Sequence, residues 1–146
     1  MEFTTITAFR LVRRLVMGNR TSAIYLLLHE PDVASAVEID LKAEVEVQIG
    51  SQLRIARLSE LLESSNVLAA CESGAIVLIP IDSLASENTG LLDTHVTRIE
   101  RCGAQLLFLT TPALGEQLLV QSPNFRNRIT EVMRIVPDDD LRGTSG

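Results

Sequence analysis

The loop after the first long apolar run of the sequence has the arrangement of a phosphate-binding site. The run Ile24–Leu28 predicts a strand buried on both faces, and Pro31 predicts the first turn of a helix that extends to Glu44. A strand, a short loop and a helix N-terminus bind phosphate because unpaired backbone N–H groups point at the anion. This loop contains no lysine, and it carries the carboxylate of Glu30 where the anion would bind. We therefore predict a phosphate-binding frame that has lost its chemistry.

The remaining reactive side chains have the spacing of neither a nucleophilic site nor a metal site. His29 is interpreted as a hydrogen-bonded structural residue, and His95 has Asp93 nearby but no third ligand at a suitable spacing. No serine lies in the GxSxG sequence of a nucleophile elbow, which excludes Ser22, Ser35 and Ser83. Neither cysteine lies in a CxxC motif, so we interpret both as reduced, buried thiols: Cys71 and Cys102. The sequence therefore predicts no catalytic residue, no metal and no cofactor.

The composition is that of a single domain with an aliphatic core. Of the 146 residues, 46% are hydrophobic and only 3% are aromatic, so the core must consist mainly of Leu, Ile, Val and Ala. The formal net charge of −6 and the pI near 4.9 give no overall case for nucleic acid binding. The most apolar stretch, Val67–Leu84, is interrupted by Glu72 and Asp82, so we expect no membrane span. Because no signal peptide opens the sequence, a cytoplasmic location is expected.

Residues 1–20 predict an amphipathic helix. The apolar residues between Thr5 and Met17 fall on one stripe at helical spacing. Four arginines cluster in this helix or just after it, namely Arg10, Arg13, Arg14 and Arg20. They would suit an anionic partner, but a solvated helix face is the preferred interpretation because the whole chain is acidic. Residues 138–146 predict a polar tail, and its acidic run Asp138–Asp140 is interpreted as solvated rather than as a cation site.

Residues 22–137 predict a core in which strands alternate with helices. Four strands are expected, at Ile24–Leu28, Ala75–Ile81, Ala104–Leu109 and Ile129–Val136. The first expected helix is Pro31–Glu44, followed by a short helix capped by Ser59 and by a helical turn or two at Asn66–Cys71. After a loop at Asp82–Gly90, two further helices are expected at Leu91–Cys102 and Leu114–Val120. The segment Val45–Leu58 has two interpretations: a β-hairpin around Gly50, or a helix that overruns and is followed by a strand at Leu53–Leu58. The predicted fold class is therefore an α/β three-layer sandwich, with a mostly parallel sheet of four or five strands and helices on both faces.

The ends of these strands resemble the nucleotide-binding core of an AAA+ ATPase, over the range Ser22–Arg142. In that family the first strand leads into a sequence like LLLHGPPGTGKT, and this chain has LLLHEPDVASAV. The positions of the first glycine, the last glycine, the lysine and the magnesium-binding Ser/Thr are held here by Glu30, Ser35, Ala36 and Val37. The family's lysine supplies positive charge to the β- and γ-phosphates, and its hydroxyl is a metal ligand. The resemblance therefore implies a vestigial phosphate loop.

The next two strand ends match the family in outline. Where the family has a Walker B sequence like DEIDSL, this chain has IPIDSL. Ile79 and Pro80 thus replace the metal-holding aspartate and the water-activating glutamate. The following strand end, LTTPAL, resembles the sensor-1 strand, in which Thr110 or Thr111 would take the polar position that contacts the γ-phosphate. The resemblance implies that this chain is not an enzyme.

Residues 122–143 resemble the region that carries the family's arginine finger, with Arg126 and Arg128 as candidates. AAA+ domains assemble side by side, and the arginine of one subunit reaches the nucleotide of the next. The resemblance implies a pseudo-ATPase, that is, a non-catalytic AAA+-like domain that acts as a protein–protein interaction or assembly and regulatory module. Its partner would be an active AAA+ subunit or a second copy of the chain, and no nucleic acid is expected.

Two shorter resemblances lead to different functions. HEPDVASAVEIDLKAE also resembles the first loop and helix of a response-regulator receiver, which would make the chain a degenerate receiver-like signalling domain. In that comparison Leu28 and His29 replace the acidic pair, and no aspartate ends the strand Ile76–Ile79. TGLLDTHVTRIERCGAQLLFL resembles the helix and strand of a STAS-type domain, with Thr89 in the position of the phosphorylated serine.

Overall fold

The computed structural model describes residues 3–18, 23–63, 75–101 and 103–138. Within these ranges, six parallel strands form one sheet in the order β1-β6-β2-β5-β4-β3. The strands are β1 (Thr4–Thr7), β2 (Ala23–Leu28), β3 (Arg54–Ile55), β4 (Ile76–Pro80), β5 (Gln105–Thr110) and β6 (Glu131–Val136). The helices are α1 (Ala8–Met17), α2 (Ala34–Ile49), α3 (Leu58–Glu63), α4 (Ser86–Glu100), α5 (Pro112–Gln121) and α6 (Pro123–Arg128), and a short 3-10 helix (Pro31–Val33) precedes α2.

Helices cover both faces of the sheet. On one face α1 and α2 pack against the sheet through Leu11, Val12, Val37 and Leu41. On the other face lie the buried residues of α3, α4, α5 and α6: Leu58, Leu61, Leu62, Leu92, Val96, Ile99, Leu118 and Phe125. The central strands β2, β4 and β5 are buried from both sides because they read as continuous aliphatic runs. The predicted three-layer α/β sandwich is confirmed, with a larger sheet than expected.

The N-terminal segment is a strand followed by a helix, so the prediction of one continuous helix was wrong. Residues Thr4–Thr7 pair in parallel with β6, and the helix begins only at Ala8. Each residue of the sequence TTIT is β-branched, which favours an extended backbone. The hydroxyl of Thr7 then caps the helix by accepting a hydrogen bond from the backbone N–H of Arg10 at 3.3 Å.

Of the two interpretations of Val45–Leu58, the overrunning helix is confirmed. The helix α2 continues to Ile49 and ends where Gly50 takes a left-handed backbone with φ of 79°. The strand that follows, β3, is shorter than expected, and α3 already includes Ser59, which was predicted to cap it. The helical turn expected at Asn66–Cys71 lies outside the described residues.

Three further predictions are corrected. The helix α4 begins at Ser86, inside the segment predicted to be a loop up to Gly90. The helix α6 was not predicted at all. Asp138 belongs to the fold rather than to a free tail, because its backbone N–H donates to Asp40 at 2.9 Å and its carboxylate accepts from Phe9 at 3.3 Å. The rest of the predicted tail, together with Arg20, Cys71 and Cys102, lies outside the described residues.

Candidate functional site

The carboxyl ends of β2 and β5 lie side by side, and the chain leaves them toward opposite faces of the sheet. The strand β2 leads into α2, which packs on one face, and β5 leads into α5, which packs on the other. In open parallel sheets, ligands bind in the crevice where neighbouring connections diverge in this way. The crevice between these two strand ends is therefore the candidate site.

Leu28 and Gly115 close this crevice. Leu28 is the last residue of β2 and is buried, and Gly115 lies near the start of α5. A Cβ atom placed on Gly115 would overlap the side chain of Leu28. The backbone of the helix thus lies directly on the end of the strand. The two elements are therefore in direct contact at this end of the sheet.

The two threonines that end β5 use their hydroxyl groups inside the protein. Thr110 is fully buried, and its hydroxyl donates to the backbone carbonyl of Ile81 at 2.8 Å. The hydroxyl of Thr111 caps α5 by accepting from the N–H of Leu114 at 3.4 Å. Both side chains therefore hold the loops at this edge together, and the Thr110 hydroxyl is already donated within the core.

His29 is a buried, hydrogen-bonded residue, as the sequence predicted. Its backbone N–H donates to the carbonyl of Thr110 at 3.0 Å, which extends the pairing of β2 with β5 by one residue. Its Nδ1 lies 2.8 Å from the carbonyl oxygen of Glu30. Since a carbonyl only accepts hydrogen bonds, Nδ1 carries the proton in this arrangement. His29 thereby fixes the turn that leads out of the strand.

Glu30 makes an ion pair that the sequence did not predict. Its carboxylate lies 3.1 Å from the guanidinium of Arg134, which is on the neighbouring strand β6. Leu28 pairs with Arg134 in the sheet register, and this pairing brings the two charged side chains together. Both are about half exposed, so the pair contributes little to stability. The ion pair does engage the guanidinium of Arg134, which lies beside the loop.

The other positions of the vestigial phosphate loop place no charge or hydroxyl in the crevice. The first turn of α2 exposes Ser35 and Ala36 to solvent, whereas Val37 is buried against the sheet. The helix begins without a side-chain cap at Val33. Val37 therefore acts as a core residue at the position that would hold a metal-binding hydroxyl.

The end of β4 likewise carries apolar residues at the positions where the AAA+ family has acidic ones. Ile79 has no exposed surface and pairs with Phe108 of β5, and Pro80 is half-buried beside Leu109. The acidic residue that follows, Asp82, is exposed. Across the described residues, no group of three or more His, Cys, Asp or Glu side chains is close enough to hold a metal ion.

The architecture has counterparts among solved structures, although no protein-family profile and no curated protein matches the sequence. The DnaC helicase loader superposes with a TM-score of 0.54 at 8% identity, over 88% of this chain and 86% of that chain. The ORC1 protein of Aeropyrum pernix, in complex with DNA, has a TM-score of 0.49 at 12% identity, over 94% of this chain and 47% of that chain. PCH-2 of C. elegans has a TM-score of 0.44 at 15% identity, over 92% of this chain and 40% of that chain. All three are AAA+ proteins.

This chain has an AAA+-like fold. At such low identity the likeness concerns the arrangement of the strands and helices alone. The function of this chain therefore depends on the side chains at the edges of the fold.

In the AAA+-like fold, the two candidate finger arginines lie on α6. Both side chains are exposed, and Arg128 forms an ion pair with Glu100 of α4 at 3.0 Å. Beneath them Phe125 is fully buried and meets Phe108 edge to face, with ring centroids 5.0 Å apart. The aromatic contact anchors α6 to the sheet, so Arg126 and Arg128 are presented from a fixed position.

Asp93 has a structural role that the sequence did not predict. Its carboxylate accepts hydrogen bonds from the backbone N–H groups of Asn124 at 2.6 Å and Phe125 at 3.1 Å, and from the side-chain amide of Asn124 at 3.1 Å. These N–H groups belong to the first turn of α6, whose positive dipole end favours a carboxylate. Asp93 therefore caps the helix that carries the candidate arginines.

The side chain of Thr89 is unsuited to the phosphorylation that the STAS-type resemblance implied. Thr89 is 2% exposed, and its hydroxyl donates to Gln121 at 3.0 Å. Ser122, also buried, donates to the carbonyl of Thr89 at 2.9 Å. Thr89 thus joins α4 to the end of α5.

In the part of the chain that the structure describes, no helix is long and apolar enough to cross a membrane.

Proposed function

We propose that this chain is a non-catalytic AAA+-like domain that serves as a protein–protein interaction or assembly and regulatory module. The observation that carries the proposal is the closed crevice between β2 and β5. Gly115 lies on Leu28 there, and the hydroxyl of Thr110 is donated to the protein backbone. The strand ends that would face a nucleotide are thus occupied by contacts within the protein.

The charges around the crevice support the same proposal. Binding a triphosphate requires positive charge and donors directed at its oxygens. The residue in the lysine position, Ala36, has neither, and the guanidinium beside the loop, that of Arg134, is paired with Glu30. Asp32 adds a further exposed carboxylate at the start of the helix, which opposes an anion there.

A domain of this kind functions through its surfaces. The edge formed by α6 presents Arg126 and Arg128 on a helix anchored by Phe125 and capped by Asp93. A guanidinium held in this way has the fixed charge with which an arginine finger stabilises a transferring phosphoryl group. We infer that this edge contacts an active AAA+ subunit or a second copy of the chain.

Isothermal titration with ATP and magnesium tests the closed crevice. The expected result is no saturable heat at ATP concentrations up to about 1 mM, because the lysine position holds Ala36 and the guanidinium of Arg134 is paired with Glu30. The Glu30→Gln variant serves as a control, since it removes the carboxylate while α5 still covers the strand end. It is expected to remain silent as well. A micromolar dissociation constant for the unmodified chain would overturn the proposal.

A further inference from the structure

An open groove lies between the free edge of the sheet and helix α1. Its volume is about 610 Å³, and the residues that matter for its chemistry are Thr4, Thr5, Arg10, Arg13, Arg14 and Met17. The helix α1 covers the face of the sheet opposite to α6. The groove is therefore separate from the arginine edge, and β6 lies between its strand and the crevice at β2.

The strand that forms one wall of the groove has an unpaired side. Within the described ranges, β1 pairs with β6 and with no other strand. Edge strands present backbone N–H and C=O groups that a further extended chain can pair with. Thr4 and Thr5 are exposed at this edge, and β1 contains no proline that would block pairing. The groove thus offers the hydrogen-bonding pattern used in strand addition.

The other wall of the groove is basic. Arg10 and Arg13 are exposed and form no ion pair with any residue that the structure describes. Arg14 pairs with Glu131 of β6 at 3.0 Å. Among the described residues, the guanidinium groups of Arg10 and Arg13 on this wall therefore keep their positive charge unpaired. This positive charge is concentrated in a chain whose formal net charge is −6. The groove therefore selects anionic groups within an otherwise acidic surface.

The spacing of the two arginines matches an extended peptide. Residues three apart on a helix have Cβ atoms about 5–6 Å from one another. Side chains on the same face of a strand repeat every second residue, at about 6.6 Å. Acidic residues at alternate positions of a strand laid along β1 would therefore meet Arg10 and Arg13 together. Met17, 75% exposed, offers an apolar contact further along the groove.

We propose that this groove binds an extended acidic peptide segment of a partner protein. The segment adds as a strand to the free edge of β1, and its alternate carboxylates pair with Arg10 and Arg13. A nucleic acid would satisfy the arginines but not the strand edge, because its phosphate backbone cannot continue the hydrogen-bonding ladder. This inference does not depend on the crevice or on ATP, so titrations with ATP and with peptide can fail separately.

Fluorescence anisotropy with a labelled seven-residue peptide, in which Asp alternates with Val, tests the proposal. Saturable binding with a dissociation constant of about 10–100 μM is expected. Arg10→Gln together with Arg13→Gln should weaken binding at least about tenfold, because both carboxylate partners are lost. Arg98→Gln with Arg101→Gln is the matched control, since these exposed residues have the same spacing at the end of α4, on the other face. That variant should bind within about twofold of the unmodified chain.

Two further probes separate strand addition from charge attraction. The same peptide with an N-methyl group on every backbone amide keeps its charges but cannot extend the sheet, so its affinity should fall about tenfold or more. A single-stranded oligonucleotide of equal charge should not displace the labelled peptide. Equal binding of the methylated peptide, displacement by the oligonucleotide, equal losses in the two arginine variants, or no binding at about 1 mM would each overturn the proposal.

Discussion

The backbone of Gly115 in α5 lies directly against the side chain of Leu28 at the end of β2. This contact occurs where the AAA+-like fold would admit a ligand between its diverging connections. A glycine inside a helix is usually unfavourable compared with alanine, by about 1 kcal/mol. The close approach explains its presence at this position, because a Cβ atom here would overlap the Leu28 side chain and force it to shift.

Gly115→Ala should therefore destabilise the domain, although alanine is the better helix former. We expect the overlap with Leu28 to cost about 1–3 kcal/mol of unfolding free energy, more than the gain in helix propensity. Gly90→Ala is the matched control, because Gly90 also lies in a helix and a Cβ atom there meets nothing within 4 Å. That variant should gain up to about 1 kcal/mol. Denaturant unfolding measures both, and equal gains would show that the helix does not lie on the strand end.

Asp93→Ala should weaken the attachment of α6. The carboxylate accepts from two backbone N–H groups and one amide, so its loss is expected to cost about 1–2 kcal/mol. Asp93→Asn retains one acceptor oxygen and should lose less. Asp82→Ala, at an exposed position, should stay within about 0.5 kcal/mol of the unmodified chain. Denaturant unfolding measures all three variants. Equal unfolding midpoints for Asp93→Ala and Asp82→Ala would show that the cap is not formed in solution.

The chain should release no phosphate from ATP above the rate of a blank. The positions of the lysine and of the two Walker B acids hold Ala36, Ile79 and Pro80, and none of these can stabilise the transferring group or activate water. A steady-state phosphate assay with magnesium measures this directly. A rate above the blank that disappears in the Glu30→Ala or the Ala36→Arg variant would contradict the prediction.

Replacing Arg126 and Arg128 together with alanine should weaken assembly without unfolding the domain. Both are exposed, and the pair between Arg128 and Glu100 contributes under about 1 kcal/mol. We expect the dissociation constant of self-association, or of a complex with an active AAA+ subunit, to rise at least about tenfold in sedimentation velocity. Glu100→Gln breaks the same ion pair but keeps both arginines, so it should assemble normally.

The assembly prediction has a clear contrary outcome. The chain would sediment as a monomer at every concentration, and the double replacement would leave a partner's ATPase rate unchanged. In that case the two arginines are ordinary surface residues, and the α6 edge has no role in assembly. The closed crevice would still stand, because it rests on Leu28 and Gly115 rather than on this edge.

The buried strands could be predicted from sequence, but the edges of the sheet could not. Continuous runs of Leu, Ile and Val identified β2, β4 and β5, because strands covered on both faces need no polar alternation. The strand β1 was missed because Ile6 also fits the helical spacing of the residues after it. The helix α6 was missed because Phe125 is its one buried residue, too little for a periodic signal.

The sequence alone shows which residue types are missing from the candidate site, but it does not show which contacts form there. The absence of a lysine and of Walker B acids is visible in the residue types alone. The contact between Gly115 and Leu28 joins residues far apart in the chain, and the pair between Glu30 and Arg134 depends on the sheet register. An isolated glycine within a predicted helix was the available signal for the first of these. The second required knowing which strands are neighbours.

The pairing of β1 with β6 also bears on how the chain folds. Thr4 pairs with Met133, so the first and last described strands must find one another across almost the whole sequence. Closing such a long loop costs conformational entropy before any contact repays it, and parallel pairs offer no local hairpin as a starting point. We expect folding on a timescale of milliseconds to seconds rather than microseconds. During synthesis the residues of β1 emerge from the ribosome long before those of β6, so β1 cannot pair with β6 until nearly all of the described chain has been made.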